Sequence, residues 1–353
     1  MCTSPRVTST TSLRRTSSVC ARSGSTATRR RTIPRRHVSS RTFHVFRTPS
    51  MSSSLPDTLV FRRPRPDDLE VAARILAAEE RRVRGESAWG VEETRDWWTW
   101  SNLDESWFVD ADGESIAFVA LMVRGKTAVS WGSVDPRYEG QGLSTELIRR
   151  TEQRARELGF EKLNVGMFAE NDEARRLFER LGFREVRRFY RMQIELDTPP
   201  SPAEWPHGIT VSTFRPEDAR AFHGALDEAF ADDWGFVSVG FEEWKRRRLE
   251  SPETDVSLWF IARAGEKIAG VLRGDPRHHG GGWIGALGVR KPWRRRGIAN
   301  ALLRHAFAEY HRRGEPHVGL GVDAQNPTGA TRLYERAGMR VVTEDVVFEK
   351  ELA

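Results

Sequence analysis

Apolar residues recur at helical spacing after two glycine-containing turns of the chain. After the later turn, at Gly297, one apolar face repeats every four residues: Ile298, Leu302, Ala306 and Tyr310. A matching face follows Gly142 and consists of Leu143, Leu147, Thr151, Ala155 and Leu158. This spacing predicts two amphipathic helices, each packed on a sheet by one face. Gly159 and Gly314 stand where each helix needs a left-handed C-terminal cap.

The two helices belong to a longer internal repeat. Three segments of the first half recur in the same order in the second half: 61–76 as 211–226, 133–159 as 288–314, and 170–183 as 325–339. We therefore predict two copies of one domain, a first copy at 57–197 and a second copy at 207–353. The proline-rich segment 198–206 would link them, and residues 1–56 would form a separate tail.

Each copy shows the same succession of patterns. A short strand is followed by helices, a hairpin, a long strand, a helix, a strand, a helix and a final strand. The hairpins turn at Asp112-Gly113 and near Gly265, where the residue types suit tight turns. We expect two tandem α/β (α+β) domains, each a mixed, mostly antiparallel twisted sheet flanked by helices.

Charge and cysteine are unevenly distributed along the 353 residues. Residues 1–50 contain 11 arginines and no acidic residue, whereas the rest of the chain carries 45 basic and 50 acidic side chains. The net charge of +6 therefore belongs to the tail, and the acidic body argues against a nucleic-acid-binding function. Both cysteines, Cys2 and Cys20, also lie in the tail, so the body has neither a disulfide framework nor a cysteine nucleophile.

The tail is rich in Ser, Thr and Arg, and three interpretations fit this composition. It matches an organelle transit peptide, a disordered segment, or sequence translated upstream of a start at Met51. A tail that binds nucleic acid is a further hypothesis, and it predicts strongly salt-dependent binding. No apolar run is long enough to form a membrane span, and we expect a cytoplasmic protein.

The turn before the later helix carries Arg294, Arg295 and Arg296, followed by Gly297 and Ala299. A helix N-terminus has unpaired N–H groups and partial positive charge, so added positive charge is unfavourable unless an anion binds there. A strand, the pattern R-x-x-G-x-A and a helix together suit a diphosphate. For this element alone, a basic surface turn remains the alternative.

A second element follows in DAQNPTGATRLYERAGM, residues 323–339. It places Asn326 at a strand end and Leu333-Tyr334 on a helix that ends in Ala-Gly. The order and spacing of the two elements resemble the GNAT superfamily of acyl-CoA N-acyltransferases, in two copies over roughly residues 57–353. The second copy has one residue more than the family pattern between Asn326 and Ala330.

The resemblance implies acetyl-CoA as co-substrate and no metal. It assigns the cofactor to the strand end, the loop and the asparagine: Leu287, Gly288, Val289, Arg294, Arg295, Arg296, Gly297, Ile298, Ala299 and Asn326. An amine would attack the acetyl thioester, with the oxyanion held by a backbone N–H at a bulged strand end near Gly288-Val289. The leaving thiolate needs a proton, and Tyr334 is the candidate acid. A tyrosine that only fills the core is the alternative.

The first copy departs from the second at three positions: Glu139 replaces Arg294, Ser144 replaces Ala299, and Phe178 replaces Tyr334. A carboxylate repels a diphosphate, and a phenylalanine has no proton to donate. Gly140, Gly142 and Asn171 are retained. We therefore expect a non-catalytic first copy, which either binds CoA weakly or only supports the second.

The general base is not evident, because the strand 282–289 carries no carboxylate. Six residues are candidates: His278, His279, Glu228, Asp232, Asp233 and Asp323. For the histidines we favour an exposed glycine-rich turn, PRHHGGG. The acidic segment 227–236 lies where the family's substrate-binding helices lie, and four of its residues are candidates for contact with an amine acceptor: Glu228, Asp232, Asp233 and Trp234. A solvated helix end is the alternative.

Two further patterns carry structural expectations. The basic run 245–248 is expected on a solvated helix face, and the tryptophans of WWTW at 97–100 in the core rather than at a ligand patch. No metal-ligand spacing is evident. The resemblance thus implies an acetyl-CoA-dependent N-acetyltransferase that acetylates the amine of a small molecule in its second copy. The alternative is a non-catalytic acyl-CoA-binding or regulatory tandem protein. The acceptor and the oligomeric state stay open.

Overall fold

A computed structural model describes residues 59–352 and a two-residue strand at 45–46. The predictions for the tail, including its interpretation as a transit peptide, lie outside the described residues. In the described part of the chain, no helix is both long and apolar enough to cross a membrane.

Thirteen strands form one continuous sheet in the described chain. They are β1 (Val45–Phe46), β2 (Leu59–Arg62), β3 (Trp107–Ala111), β4 (Glu114–Arg124), β5 (Thr127–Val134), β6 (Lys162–Phe168), β7 (Arg184–Glu195), β8 (Ile209–Thr213), β9 (Trp259–Ala264), β10 (Lys267–His278), β11 (Gly281–Val289), β12 (His317–Asp323) and β13 (Arg340–Glu351). Their order across the sheet is β1-β2-β3-β4-β5-β6-β13-β7-β12-β11-β10-β9-β8. Among the strands of the described residues, β5–β6 and β11–β12 are the two parallel pairs, which confirms the mixed, mostly antiparallel sheet.

Eight helices pack on this sheet in the described chain: α1 (Leu69–Arg84), α2 (Val91–Trp100), α3 (Leu143–Glu157), α4 (Asp172–Arg180), α5 (Ala219–Phe230), α6 (Phe241–Trp244), α7 (Ile298–Arg312) and α8 (Ala330–Arg336). A π-helical turn, Lys245–Leu249, continues α6, and short 3-10 turns occupy Pro66–Asp68, Leu103–Glu105, Pro136–Tyr138, Pro216–Asp218, Val256–Leu258 and Lys291–Trp293.

The two predicted amphipathic helices are α3 and α7, and both bury the expected face. Leu158 is the exception, because α3 ends one residue earlier and this side chain is exposed. Gly159 and Gly314 have φ of +79° and +81°, the left-handed conformation expected after a helix end.

The two copies exchange their last strands. β7, from the first copy, pairs antiparallel with β12 of the second copy between His317↔Glu195 and Asp323↔Phe189. β13, from the second copy, pairs with β6 of the first, and β7 and β13 also pair with each other. The segment 198–206 contains no helix or strand. Cutting the chain within this segment would leave each copy without the strand that completes its sheet. The predicted boundaries therefore divide the sequence but not the sheet, and they stay a prediction.

A gap in the sheet positions the candidate site. β11 and β12 pair only at Gly282↔Val318 and Trp283↔Gly319, and their later residues separate. β5 and β6 of the first copy separate in the same way after Ser130↔Val165. In each copy, the opening lies beside the N-terminus of the amphipathic helix, α3 or α7.

Candidate active site

A cleft of about 1310 Å³, here called the second-copy cleft, opens between β11, β12 and the N-terminus of α7. It brings together fourteen candidate site residues singled out from the sequence: Leu287, Gly288, Val289, Arg294, Arg295, Gly297, Ile298, Ala299, Asn326, Tyr334, Asp232, Asp233, Trp234 and Asp323. Arg296 and Glu228 lie outside its lining. Segments far apart in the chain, 229–234, 287–300 and 321–336, therefore meet at one cavity.

The loop before α7 has a backbone suited to an anion. Arg295 has φ +62° and Gly297 has φ +87°, both in the left-handed region. Gly297 is the N-cap of α7 and provides no side chain, so the first N–H groups of the helix have no side-chain acceptor. Left-handed residues between extended or helical ones turn successive N–H groups to one side, which creates a concave anion site.

The side chain of Arg294 braces this loop. Its Nε donates to the carbonyl oxygen of Val289 at 3.1 Å, and one terminal nitrogen donates to the carbonyl oxygen of Ala229 at 3.0 Å. The guanidinium thereby joins the end of β11 to the end of α5. Arg294 holds the walls of the cleft together, and its remaining charge faces Asp232, 3.8 Å away.

Tyr334 differs from the other buried tyrosine of the second copy. Tyr310 donates to the backbone carbonyl oxygens of Asp275 and Trp283, at 2.9 and 2.8 Å, and is a structural residue. Tyr334 is 8% exposed and lines the second-copy cleft, but its hydroxyl has no hydrogen-bond partner among the described residues. Burial raises the pKa of Tyr334 to about 12, and the charge of Asp233 adds to the effect. The proton therefore stays on the hydroxyl at neutral pH.

A second cavity of about 1260 Å³, the inter-copy cleft, lies between α2 of the first copy and the loop 235–240 of the second. Asp233 is the one carboxylate among the described residues that lines both this cleft and the second-copy cleft. Burial raises the pKa of Asp233, and the charge of Asp323 raises it further. Asn326 Nδ2 lies 3.5 Å from its Oδ1. Asp233 thus stands where the two cavities meet.

The other acidic candidates for the base are placed less favourably. Glu228 accepts from Arg290 Nε at 2.6 Å and is used in that ion pair. Asp232 pairs with Lys291 Nζ at 2.9 Å, and the ammonium lowers the pKa of this carboxyl. Asp323 lines the second-copy cleft but not the inter-copy cleft.

The expectation of an exposed turn at PRHHGGG is wrong. His278 and His279 are largely buried and contact Glu93 of the first copy. His278 stacks on Trp283 with ring centroids 4.8 Å apart. Neither histidine lines either of the two clefts around Asp233, so the structure does not place them with the other candidates for the base.

The basic run 245–248 agrees with the expectation only in part: Arg246 is exposed, whereas Arg247 and Arg248 line the inter-copy cleft. Arg247 donates to the carbonyl oxygen of Thr99 at 3.0 Å, and Arg248 pairs with Asp96 at 2.5 Å. Both guanidinium groups lie over the ring of Trp100, at 4.7 and 4.9 Å from its centroid. These arginines therefore join the copies instead of facing solvent.

The WWTW segment divides between core and cavity. Trp98 stacks on Phe118 with centroids 5.5 Å apart, as expected of a core residue. Trp97 and Trp100 instead line the inter-copy cleft. The sequence indicates that these tryptophans cannot all share one environment, because neighbouring residues of a helix face different directions. It does not indicate what the outer face of α2 contacts.

The irregularity expected at the end of β11 lies earlier in the strand. Gly288 and Val289 pair regularly with Val271 and Gly270, whereas the register between β10 and β11 shifts at Gly285. A side chain at Gly285 would overlap the guanidinium of Arg273, which is buried, pairs with Asp275 and lines the inter-copy cleft. Sequence reasoning missed Arg273, since nothing local distinguishes it from a surface arginine.

The sequence is similar to a known family of proteins in both copies. The sequence model of the acetyltransferase (GNAT) family matches residues 73–183 and again 220–339. The chain belongs to the GNAT family. A mycothiol acetyltransferase from Thermobispora bispora is 30% identical over 248 residues, 68% of this chain and 81% of that protein. The chain is therefore an N-acetyltransferase that uses acetyl-CoA.

Solved GNAT structures share the tandem architecture. A GCN5-related N-acetyltransferase from Sphaerobacter thermophilus is 38% identical and superposes with a TM-score of 0.72, over 85% of this chain and 97% of that chain. A tandem GNAT protein from the clavulanic acid biosynthesis pathway is 16% identical, with a TM-score of 0.63 over 84% and 99% of the two chains. The second likeness concerns the fold alone.

The first GNAT copy has a smaller cleft, of about 610 Å³, with a different lining. Glu139 pairs there with Arg82 at 3.0 Å, and burial raises the pKa of Glu139 to about 6. Asn171 caps α4 through its Oδ1 and donates its Nδ2 to Glu79 at 2.9 Å. Phe178 is 7% exposed, like Tyr334, but brings no hydroxyl. The first copy keeps the place of the cleft beside the helix N-terminus, but its cleft is about half as large and lacks the arginine and the tyrosine of the second copy.

Proposed function

We propose that the second copy catalyses acetyl transfer to the amine of a small molecule bound in the inter-copy cleft. The observation that carries this proposal is the position of Asp233. It lines both cavities, so its carboxylate can reach an acceptor on one side and an acetyl group on the other. Tyr334 lines the same second-copy cleft with a hydroxyl that has no partner among the described residues.

The backbone around Gly297 would hold the diphosphate of acetyl-CoA. Its free helix N–H groups supply hydrogen bonds, and Arg295 supplies charge at the mouth of the cleft. The pantetheine arm would pair with Leu287 to Val289, where β11 has left β12. Asn326 lies beside this path.

The chemistry then needs three proton transfers. Asp233 accepts a proton from the acceptor ammonium, and the free amine nitrogen attacks the thioester carbonyl carbon. The C–N bond forms, the C–S bond breaks, and Tyr334 donates its proton to the leaving sulfur. The nitrogen then loses its second proton, which restores the Tyr334 hydroxyl, while Asp233 releases its proton to solvent. The products are an N-acetyl amide and free CoA. A buried tyrosine that keeps its proton suits the second step, because the thiolate carries the developing charge.

The inter-copy cleft suits a polar acceptor. Its lining combines carboxylates, which attract an ammonium, with arginines and aromatic rings, which suit hydroxyls and apolar faces: Asp96, Asp227, Asp233, Arg248, Arg273, Trp97 and Trp100. Relatives of this chain are mycothiol acetyltransferases. The unacetylated precursor of mycothiol is therefore the first acceptor to test.

An acceptor screen read by release of free CoA tests the proposal. We expect turnover with a small primary amine, and a fall of about 100-fold in kcat for Tyr334→Phe with little change in KM for acetyl-CoA. Phe178 at the equivalent position shows that this fold accommodates the phenylalanine ring. The control Tyr310→Phe removes a hydroxyl from a structural tyrosine and should lower the free energy of unfolding while kcat stays near the wild-type value.

The non-catalytic alternative predicts a different result. Protein that binds acetyl-CoA, transfers acetyl to no amine of the panel and is indifferent to Tyr334→Phe would be a binding or regulatory module. Turnover that survives Tyr334→Phe at the wild-type rate would remove Tyr334 from the mechanism.

A further inference from the structure

Three potential metal ligands meet at the boundary between the two copies. Glu93 comes from the first turn of α2 in the first copy, while His278 ends β10 of the second copy and His279 follows it. One ligand atom of each residue lies within 4.8 Å of the others. Glu93 is 3% exposed, and both histidines are largely buried. We call these three residues the Glu-His cluster.

The distances inside the Glu-His cluster are close to those around one metal ion. Glu93 Oε1 lies 3.5 Å from His278 Nδ1 and 4.0 Å from His279 Nδ1. Zinc–nitrogen and zinc–oxygen bonds of about 2.0–2.1 Å in a tetrahedron place neighbouring ligand atoms about 3.3 Å apart. Small side-chain rotations would therefore bring all three atoms to an ion.

One of these atoms lacks a partner in the structure. His278 Nδ1 is buried and has no hydrogen bond among the described residues. A buried nitrogen without a hydrogen-bond partner is uncommon in folded proteins, and the lone pair of an imidazole nitrogen can bind a metal ion.

The backbone at His279 is held in an unusual conformation. Its φ is +51°, in the left-handed region that side chains other than glycine rarely adopt. The Glu93 carboxylate accepts the backbone N–H of His279, and His317 Nε2 lies 3.1 Å from its carbonyl oxygen. These contacts fix the direction of the imidazole. His279 and Gly280, which has φ +80°, form the two-residue turn between β10 and β11, and this turn requires the left-handed conformation.

Aromatic rings enclose the Glu-His cluster. Trp283 stacks on His278, and Trp89 meets the ring of His279 edge-on at 6.2 Å. His279 Nδ1 also lies 3.3 Å from the carbonyl oxygen of Ala88, a long contact that the metal-bound tautomer, protonated on Nε2, would give up. These rings limit the access of solvent to the three ligand atoms and lower the local dielectric around them.

We propose that Glu93, His278 and His279 bind one divalent transition-metal ion of the zinc class, with water in the remaining position. Two imidazoles and one carboxylate are a ligand set that such ions prefer over Mg²⁺ or Ca²⁺. The ion would tie α2 of the first copy to the β10–β11 hairpin of the second. Asp96, Trp97 and Trp100 on the same helix line the inter-copy cleft, so the ion would also hold that wall in place. This site does not depend on the proposed acetyl transfer.

Zinc binding to the untagged full-length chain tests the proposal. The protein is stripped with a chelator, titrated with ZnCl₂ by calorimetry, and melted with and without Zn²⁺. The key variant is His278→Phe, which keeps a ring against Trp283 and removes the nitrogen that has no hydrogen bond. The matched control is His207→Phe, the same change at an exposed histidine. Cys2 and Cys20 are common to all these proteins, so only differences between them count.

We expect wild type and His207→Phe to bind one more zinc equivalent than His278→Phe and to melt at a higher temperature with Zn²⁺. The affinity of that site should fall by more than ~100-fold in His278→Phe, since even the loss of an outer partner costs 10–100-fold. Equal zinc binding and equal melting shifts in wild type and His278→Phe would overturn the proposal. So would a wild-type protein whose melting temperature does not respond to Zn²⁺, a result that needs no variant to fold.

Discussion

Arg295 and Gly140 occupy equivalent positions in the loops of the two copies, and both have left-handed backbones, with φ of +62° and +73°. The residues that follow the same pattern, Gly297 and Gly142, agree even more closely, at +87° and +86°. Glycine adopts this conformation freely, whereas a side chain there costs about 1 kcal/mol. The second copy therefore has an arginine at a position where the left-handed backbone favours glycine.

Replacing Arg295 by glycine separates stability from binding. We expect Arg295→Gly to raise the free energy of unfolding by up to about 1 kcal/mol, because the strain disappears. The KM for acetyl-CoA should rise by roughly tenfold, because a charge at the mouth of the second-copy cleft is lost. Urea denaturation and steady-state kinetics measure the two effects.

Arg296→Ala is the matched control for that change. It removes the same charge from an exposed residue outside the lining of the second-copy cleft. Its KM for acetyl-CoA should rise less than that of Arg295→Gly, and the difference should shrink with salt. Equal effects of the two substitutions would show that only overall charge matters at this loop.

The pH dependence of turnover should follow the ionisation of the Asp233 carboxyl. The base acts as a carboxylate, so activity falls as pH drops through the pKa of Asp233. Burial raises this pKa, and the charge of Asp323 raises it further. Asp323→Asn removes the second cause, lowers the pKa of Asp233, and should move the acid limb of kcat/KM to lower pH.

Two variants control the interpretation of that limb. Asp232→Asn should shift the limb in the same direction but less, because Asp232 contributes less to the pKa of Asp233. Asp233→Asn should abolish the limb along with most of the turnover. A limb that persists in Asp233→Asn would assign the base to another group.

Glu139 should make stability depend on pH in the first copy. Its pKa is raised by burial from 4.5 to about 6, so the folded state binds this proton more tightly than the unfolded state does. Ionisation therefore lowers the free energy of unfolding as pH rises from about 4.5 to 6. We expect Glu139→Gln to be more stable than wild type by about 1–2 kcal/mol at pH 7, with the advantage absent at pH 4.5.

Urea denaturation of wild type and Glu139→Gln at the two pH values measures this difference. A variant that is less stable than wild type at pH 7 would mean that the ion pair with Arg82, 3.0 Å away, outweighs the effect of burial.

The elements around the site could be predicted from sequence because their signals are local. All of these signals lie within residues 289–339. They are the apolar spacing of α7, the glycine at its N-cap, and the short separation in sequence between Asn326, which precedes α8, and Tyr334 within α8. The same local signals recur in the first copy, which is why the departures at Glu139 and Phe178 were recognisable.

Contacts between the copies could not be predicted, because they join residues far apart in the chain. β7 and β13 have similar patterns, and nothing in either strand specifies which copy it completes. The local sequence at His278-His279 predicts an exposed turn. It gives no sign that Glu93 of the first copy covers this turn. The sequence likewise predicts that Arg247 and Arg248 are exposed, because their partners Thr99 and Asp96 lie in the first copy.

The central claim is that the second copy alone carries out acetyl transfer, and a pair of matched substitutions tests it most directly. Gly297→Asp and Gly142→Asp place the same side chain at equivalent loop positions with φ of +87° and +86°, so their backbone strain is the same. Each adds a carboxylate where a diphosphate would bind. We predict that kcat/KM for acetyl-CoA falls by at least ~100-fold in Gly297→Asp and stays within about twofold of wild type in Gly142→Asp. The reverse pattern, or equal losses in both variants, would contradict the account.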